Sequence, residues 1–106
     1  MEINLEKLLH KQVFVALRDF ESLMPYGIEK KENIFTLRGY ENKIGIWAEM
    51  DGMKNCPVKS KDISLEESKV IAFIPWSHIE TILYFPGHNE LEIDVPQIRK
   101  IGFRQD

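Results

Sequence analysis

The sequence predicts a small, mainly β domain: a strongly bent antiparallel barrel of five to six strands with a short N-terminal α-helix. Three observations indicate this fold. Several segments alternate apolar and polar residues with a period of two. Two of these segments contain a glycine, Gly39 or Gly45, as is typical where a sheet bends or carries a bulge. The most apolar run, 70–87, is divided by "PWSH", which has the length of one tight turn.

A single domain is expected, because the chain has 106 residues and a hydrophobic content of 43%, enough for one core. We predict that residues 1–87 form the barrel, with an inserted loop at 51–68. Residues 88–106 are predicted to add a strand or tail to the same domain. The N-terminus does not resemble a signal peptide, and no uninterrupted apolar run is long enough to cross a membrane. A cytoplasmic protein without a membrane partner is therefore expected.

The N-terminal half is predicted to contain the helix and two strands. The helix is "INLEKLLH", with Asn4 as its N-cap and its leucines on one face. Residues 12–19 alternate in the manner of a strand. Residues 20–33 contain a proline, a glycine and a charged cluster, which indicate a loop. The second strand is predicted over 34–42.

The C-terminal half is predicted to contain the remaining strands. The third strand covers 43–50, and the loop 51–68 follows it. The fourth strand, 69–74, is apolar in both alternating positions, so we expect both of its faces to be covered. The "PWSH" turn leads to the fifth strand, 79–85. A sixth, half-exposed strand is predicted over 90–96, where Leu, Ile and Val alternate with acidic residues.

The core is predicted from the apolar positions of these strands. Burial of each larger side chain is worth about 1.5–3 kcal/mol before the entropy of ordering the chain is subtracted. The residues expected in the core are Val13, Val15, Leu17, Leu37, Ile44, Ile46, Val70, Ala72, Ile74, Ile79 and Leu83.

Charge and residue spacing exclude several function classes. A net charge of -3 gives no general attraction to phosphate backbones or anionic membranes. A single cysteine, Cys56, excludes an intrachain disulfide and a cysteine-rich zinc site. No pair of histidines has the spacing of a metal site, and no nucleophile or phosphate-loop motif occurs. We therefore expect no catalytic residue, no metal and no cofactor.

Two segments resemble the motifs of one known family. "FTLRGYENKIGIW" is similar to the first motif of the Sm-like (LSm/Hfq-like) small β-barrel family, and "FIPWSHIETILYFPG" is similar to the second. The resemblance covers roughly residues 4–86. It implies an Sm-like fold, related to SH3-like barrels, in which subunits assemble into a ring and bind RNA.

The resemblance also implies candidate RNA-binding residues. In the first motif, Glu41 takes the acidic position and Lys43 the base-stacking position, but Gly45 replaces an Asn. In the second motif, Trp76 and His78 stand where other members carry different base-contacting residues. Trp76 can stack on a base and His78 can donate a hydrogen bond, although packing for Trp76 and a satisfied turn for His78 are the alternatives. Three lysines of the loop are further candidates for phosphate contact, or else form a solvated loop: Lys54, Lys59 and Lys61.

The family's rings close because the fourth strand of one subunit pairs with the fifth strand of the next. A homo-oligomer is therefore implied, and the predicted interface residues are Val70, Ala72, Ile74, Ile82 and Tyr84. In the alternative, residues 90–96 cover the strand edge and the chain is a monomer.

Two functions follow as predictions. The first is a ring-forming Sm-like protein that binds single-stranded RNA. The alternative is a non-catalytic Sm-like or SH3-like module that binds another protein through a strand edge or the loop 51–68.

Overall fold

Five strands form in the predicted order in the computed structural model, which describes residues 4–53, 55–62, 64, 67–88 and 90–93. They are β1 (Gln12–Leu17), β2 (Glu32–Glu41), β3 (Gly45–Asp51), β4 (Lys69–Pro75) and β5 (Ile79–Tyr84). All pairings are antiparallel, and the order in the sheet is β4-β3-β2-β1-β5. The mainly β class is confirmed. Closure into a barrel is not, because β4 and β5 are the outer strands and do not pair with each other in the described residues.

One face of the sheet carries the core. Val13, Val15 and Leu17 of β1 are fully buried, because a period of two places alternate side chains of a strand on the same face. Side chains from the neighbouring strands pack against them, and the largest of these is Phe35. The buried hydrophobic residues that β2 to β5 contribute to the core are Phe35, Leu37, Ile46, Ala48, Ile74 and Ile79.

The predicted irregularity at Gly39 is confirmed as a shift in the β2–β3 register between Leu37 and Gly39. The side chain of Trp47 lies over Gly39, since a Cβ built there would be 3.1 Å from Trp47 Cδ1. The bulge makes Arg38 the extra residue of β2, and its side chain reaches Glu49 of β3.

The N-terminal α-helix is not formed. Leu5–Leu8 makes one 3₁₀ turn, and the side chain of Asn4 makes no capping hydrogen bond. The segment before β1 is too short to recover the cost of helix nucleation. It ends at His10, whose positive φ of 66° turns the chain so that its N–H donates to the carbonyl of Leu37.

Two more 3₁₀ segments connect the strands. Phe20–Tyr26 lies within the predicted loop 20–33, and Trp76–His78 forms the predicted tight turn between β4 and β5. The latter prediction is confirmed.

Three predictions about the burial of side chains are wrong. Ile44 is 57% exposed because it belongs to the β2–β3 turn rather than to β3. Leu83 points to the face opposite the core and is 46% exposed. Both faces of β4 were expected to be covered, but Ile71 is 55% exposed on the outer face. Apolar residues on both faces of a strand therefore do not identify a strand buried in the middle of the sheet.

The predicted sixth strand is not formed over 90–93, where the chain has no strand pairing. The rest of that prediction, 94–96, lies outside the described residues. The division of the domain at residue 87 stays a prediction.

Candidate functional site

Three of the predicted RNA-binding residues meet at one end of the sheet. Glu41 ends β2, and the turn that follows is held by a hydrogen bond from the Ile44 N–H to the Glu41 carbonyl, 3.0 Å. Trp76 comes directly after β4 and donates its backbone N–H to the Ile44 carbonyl, 2.9 Å. Lys43 lies in the same turn and is exposed. The β2–β3 turn and the β4–β5 turn therefore form one continuous surface.

The indole of Trp76 is already engaged within the chain. Its Nε1–H donates to the carbonyls of Asn42 and Glu41, at 2.8 and 3.2 Å. The ring is half-buried, packs against the core and lines an apolar cavity of about 290 Å³ beneath the N-terminal 3₁₀ turn. Trp76 thus ties two turns together. Only the part of its ring that remains accessible is left for stacking on a base.

His78 holds the other side of the same turn. Its Nδ1 lies 3.0 Å from the Arg18 carbonyl, and the Arg18 N–H donates to the His78 carbonyl, 2.7 Å. Because a carbonyl only accepts, Nδ1 is assigned the proton in this contact. This geometry matches the alternative in which His78 is a satisfied turn residue, with Nε2 as its remaining polar atom.

Gly45 has no room for the side chain that the family resemblance places there. It is buried opposite Pro75, and a Cβ built on it would lie 2.8 Å from Pro75 Cα and even closer to the Ile74 carbonyl oxygen. The polar amide of an Asn cannot be held at this position without moving β4. The close approach of the two backbones therefore leaves room only for glycine at this position.

The loop lysines belong to the opposite end of the sheet. The loop leaves β3 at Asp51 and re-enters β4 at Lys69, which pair with each other. This pair is about 20 Å along the strands from the Gly45–Pro75 pair, at roughly 3.3 Å per residue. Lys59 and Lys61 are exposed, and Lys54 lies outside the described residues. The loop that carries Lys59 and Lys61 therefore begins and ends far from Lys43 and Trp76.

The predicted interface residues lie on the two outer strands. Val70 and Ala72 of β4, with Ile82 and Tyr84 of β5, are half-buried and pack against the core from its two edges. Ile74 differs, because it is 1% exposed within the core of its own chain. The other face of these strands, where Ile71 and Leu83 are exposed, was not part of the predicted interface. Their positions alternate along each strand with those of the predicted interface residues, and this alternation alone places them on the opposite face.

A charged cluster on the outer face was also missed. Arg38 Nε donates to Glu49 Oε1 at 2.8 Å, Arg38 Nη1 donates to His10 Nδ1 at 2.7 Å, and Lys69 Nζ lies 3.5 Å from Glu49 Oε2. The hydrogen bond from Arg38 lowers the pKa of the Glu49 carboxyl below its usual value, although desolvation acts in the opposite direction. The bulge at Gly39 creates this contact, and the sequence spacing of Arg38 and Glu49 does not reveal it.

Replacing Arg38 with Met is expected to raise the pKa of Glu49, because the largest cause of its lowering is removed while the desolvation remains. In the unmodified chain, a lowered carboxyl pKa adds stability that is present above the unfolded pKa. That stability is lost as pH falls through the folded pKa. The measurement is an NMR titration of the Glu49 side-chain carboxyl in both proteins.

Lys31→Met is the matched control, because Lys31 pairs with Glu80 at 3.8 Å on the exposed surface and does not touch Glu49. An unchanged Glu49 titration in the Arg38 variant would show that the ion pair does not form in solution.

Comparison with known proteins gives no relative: no family model, curated protein or solved structure matches the chain. Among the described helices, none is long and apolar enough to cross a membrane. Within the described ranges, no group of three or more His, Cys, Asp or Glu side chains is placed to hold a metal ion. Function is therefore inferred from the geometry of the sheet and its turns.

Proposed function

We propose that this chain is an Sm-like protein that assembles into a ring and binds single-stranded RNA. The observation that supports this most is the strand order, which places β4 and β5 at opposite edges of one sheet. Ring closure by pairing of a fourth strand with the fifth strand of a neighbour requires this arrangement. Both edge strands are mostly apolar, with Lys69 and Glu80 as their charged residues, and such edges are prone to aggregation in a monomer unless they are covered.

The faces on which the side chains of β4 and β5 lie favour one register for pairing β4 of one subunit with β5 of the next. Even-numbered residues of β4, and Ile82 and Tyr84 of β5, pack on the core side, whereas Ile71 and Leu83 lie on the outer side. Antiparallel pairing keeps the core continuous only if side chains directly opposite each other share a face. The register with the greatest overlap of apolar residues places Val70 opposite Tyr84, Ile71 opposite Leu83, and Ala72 opposite Ile82 of the next subunit.

The RNA-binding surface of the proposal is the end of the sheet that carries Lys43 and Trp76. Assembly would place this end of every subunit on the ring, so that Lys43 and the partly exposed indole of Trp76 recur once per subunit along the bound RNA. Base stacking on an aromatic residue is worth about 1–3 kcal/mol per base. Few cations are available at this end to neutralise phosphates, so the affinity is expected to fall only modestly with salt concentration. The cytoplasm remains the expected location.

RNA binding is tested by fluorescence anisotropy with labelled oligouridine and oligoadenine at several salt concentrations. Lys43→Gln should weaken binding to both, and should reduce the slope of log K against log salt by about 1 for each Lys43 of the ring that contacts a phosphate. The double variant Lys43→Gln, Trp76→Leu is expected to abolish binding, with circular dichroism checking its fold.

Lys30→Gln serves as the control, because Lys30 is an exposed lysine that the proposal does not use. Unchanged affinity in the double variant would remove these residues from the site. No binding by the unmodified chain at physiological salt would overturn the RNA function.

A protein-binding module is the second candidate, and two observations favour it. The Trp76 indole N–H is occupied, and Gly45 provides no side chain, so the end of the sheet has few groups that can recognise a base. On the outer face, Trp47 is 45% exposed and contacts Phe73 edge-to-face, with ring centroids 4.8 Å apart. An extended segment of another protein added to β4 would lie beside this aromatic pair.

A further inference from the structure

The outer face of β1 and its two neighbours carries an apolar surface that is separate from the core. Phe14 of β1 lies opposite Ile34 of β2 and Leu83 of β5 in the two registers. Phe85, the residue after β5, is 41% exposed. Since alternate side chains of a strand point away from the core, the core cannot cover this surface.

The chain after β5 turns back over part of this surface. It reverses at Gly87, whose φ of 85° favours glycine, and the His88 N–H donates to the Phe85 carbonyl at 3.2 Å. The Leu91 N–H then donates to Gln12 Oε1 at 3.0 Å, so residue 91 is held beside the start of β1. The cover that residues 90–93 provide is incomplete.

A cavity of about 350 Å³ remains between this segment and the sheet. Five apolar side chains line it: Phe14, Ile34, Phe85, Leu91 and Ile93. Side chains beside a gap lose the van der Waals contacts that a packed neighbour would give them. An apolar group that filled the cavity would therefore complete the packing of the outer face.

The chain itself continues from this cavity. Ile93, the last described residue, lines it, and residues 94–106 follow outside the described part of the chain. Their sequence contains four apolar residues: Val95, Ile98, Ile101 and Phe103. A segment of this length can extend to about 40 Å, whereas the distance across β2, β1 and β5 is about 10 Å. The whole apolar surface is therefore within reach.

We propose that residues 94–106 are the cover of this surface, with the side chains of Ile98 and Ile101 packed against Phe14 and Phe85. A second copy of the chain is the competing occupant. The chain's own segment is favoured because a short tether gives an effective concentration in the millimolar range, well above that of a dilute protein sample. The cover would keep an apolar patch from associating with other chains.

The proposal is independent of RNA binding, because the cavity is lined from β1, β2 and the chain after β5 rather than from the end that carries Lys43 and Trp76. Its test uses the full-length protein with methyl-labelled isoleucines. The double variant Ile98→Asp, Ile101→Asp removes the proposed contacts and leaves every strand unchanged. Loss of each buried isoleucine should shift the ratio of covered to uncovered chains by about tenfold or more.

Two signals report the uncovered surface. The Ile34 methyl signal should move in the double variant, and the fluorescence of anilinonaphthalene sulfonate, a dye that binds exposed apolar surface, should rise. The matched control is the double variant Gln97→Asp, Gln105→Asp, which adds the same two charges to the same segment. It should change neither signal.

A spin label tests proximity directly. A nitroxide is attached at Gln105→Cys after Cys56→Ser has removed the native thiol. It should broaden the methyl signal of Ile34 and leave that of Ile44 sharp, because Ile44 lies beyond the other end of β2. The Ile34 signal should also stay sharp when the nitroxide and the methyl label are on different chains.

Three results would overturn the proposal. An unchanged Ile34 signal in the isoleucine double variant would mean that these residues do not reach the cavity. Equal effects of the isoleucine and glutamine double variants would mean that added charge, and not a lost contact, moves the signal. Broadening that requires the label on a different chain would mean that a second copy covers this face.

Discussion

Gly45→Ala is expected to lower the free energy of unfolding by about 3 kcal/mol, at the upper end of the usual range for overpacking. The added methyl group would meet the backbone of β4 at Ile74 and Pro75 rather than a side chain that can rotate away. Either β3 and β4 separate at this point or the hydrogen bonds near the turn lengthen. Chemical denaturation followed by circular dichroism measures the loss.

Gly39→Ala is the matched control. Its Cβ would be 3.1 Å from the side chain of Trp47, which is exposed enough to shift. We expect a loss of less than about 1 kcal/mol, because a flexible neighbour can relax. Equal losses at the two glycines would contradict the close backbone contact at Gly45.

The native mass of the purified protein is expected to be a stable multiple of 12.5 kDa, and Leu83→Lys is expected to reduce it to the mass of one chain. Leu83 is an exposed apolar residue on an outer strand, and a lysine on such a strand opposes edge-to-edge pairing. Native mass spectrometry across a dilution series measures both proteins. A single-chain mass for the unmodified protein at every concentration would remove the ring and favour the protein-binding module.

Val58→Lys controls for the change of an apolar residue to a charged one. Val58 is exposed, like Ile71 and Leu83, but it lies in the loop between β3 and β4, so the mass of the assembly should not change. The register can be checked in the same assembly after Cys56→Ser. The pair Ile71→Cys and Leu83→Cys should form a disulfide between subunits, because residues directly opposite each other have Cα atoms within disulfide range. Ile71→Cys with Thr81→Cys, two residues away, should not.

The sequence predicted the structure best where a pattern within one short segment was enough to assign burial or a turn. Val13, Val15 and Leu17 alternate within a single strand, and the structure buries all three. The turn at Trp76–His78 was predictable because Pro75, the last residue of β4, has no N–H to donate to the ladder. Ile44 continues the alternation of Ile46, yet it is exposed, because the pattern does not show where the preceding turn ends.

A local sequence pattern does not show where a strand lies in the sheet. Ile71 and Ile74 belong to the same apolar run, but only Ile74 joins the core. Which strands are outermost depends on pairings between distant segments, above all that of β1 with β5. The candidate site shows the same limit. The sequence placed Glu41, Lys43 and Trp76 in two motifs, but the hydrogen bonds from the Trp76 indole to the β2–β3 turn depend on the folded sheet.

The position of β1 between β2 and β5 has a consequence for how the chain folds. The meander from β1 to β4 can form from near neighbours in the sequence, but the final pairing joins Val13 to Tyr84, close to the two ends of the described chain. Such long-range closure slows folding, because the entropy of a large loop is lost before its contacts form. During synthesis on the ribosome, the edge of β1 that pairs with β5 therefore stays without its partner until β5 has emerged.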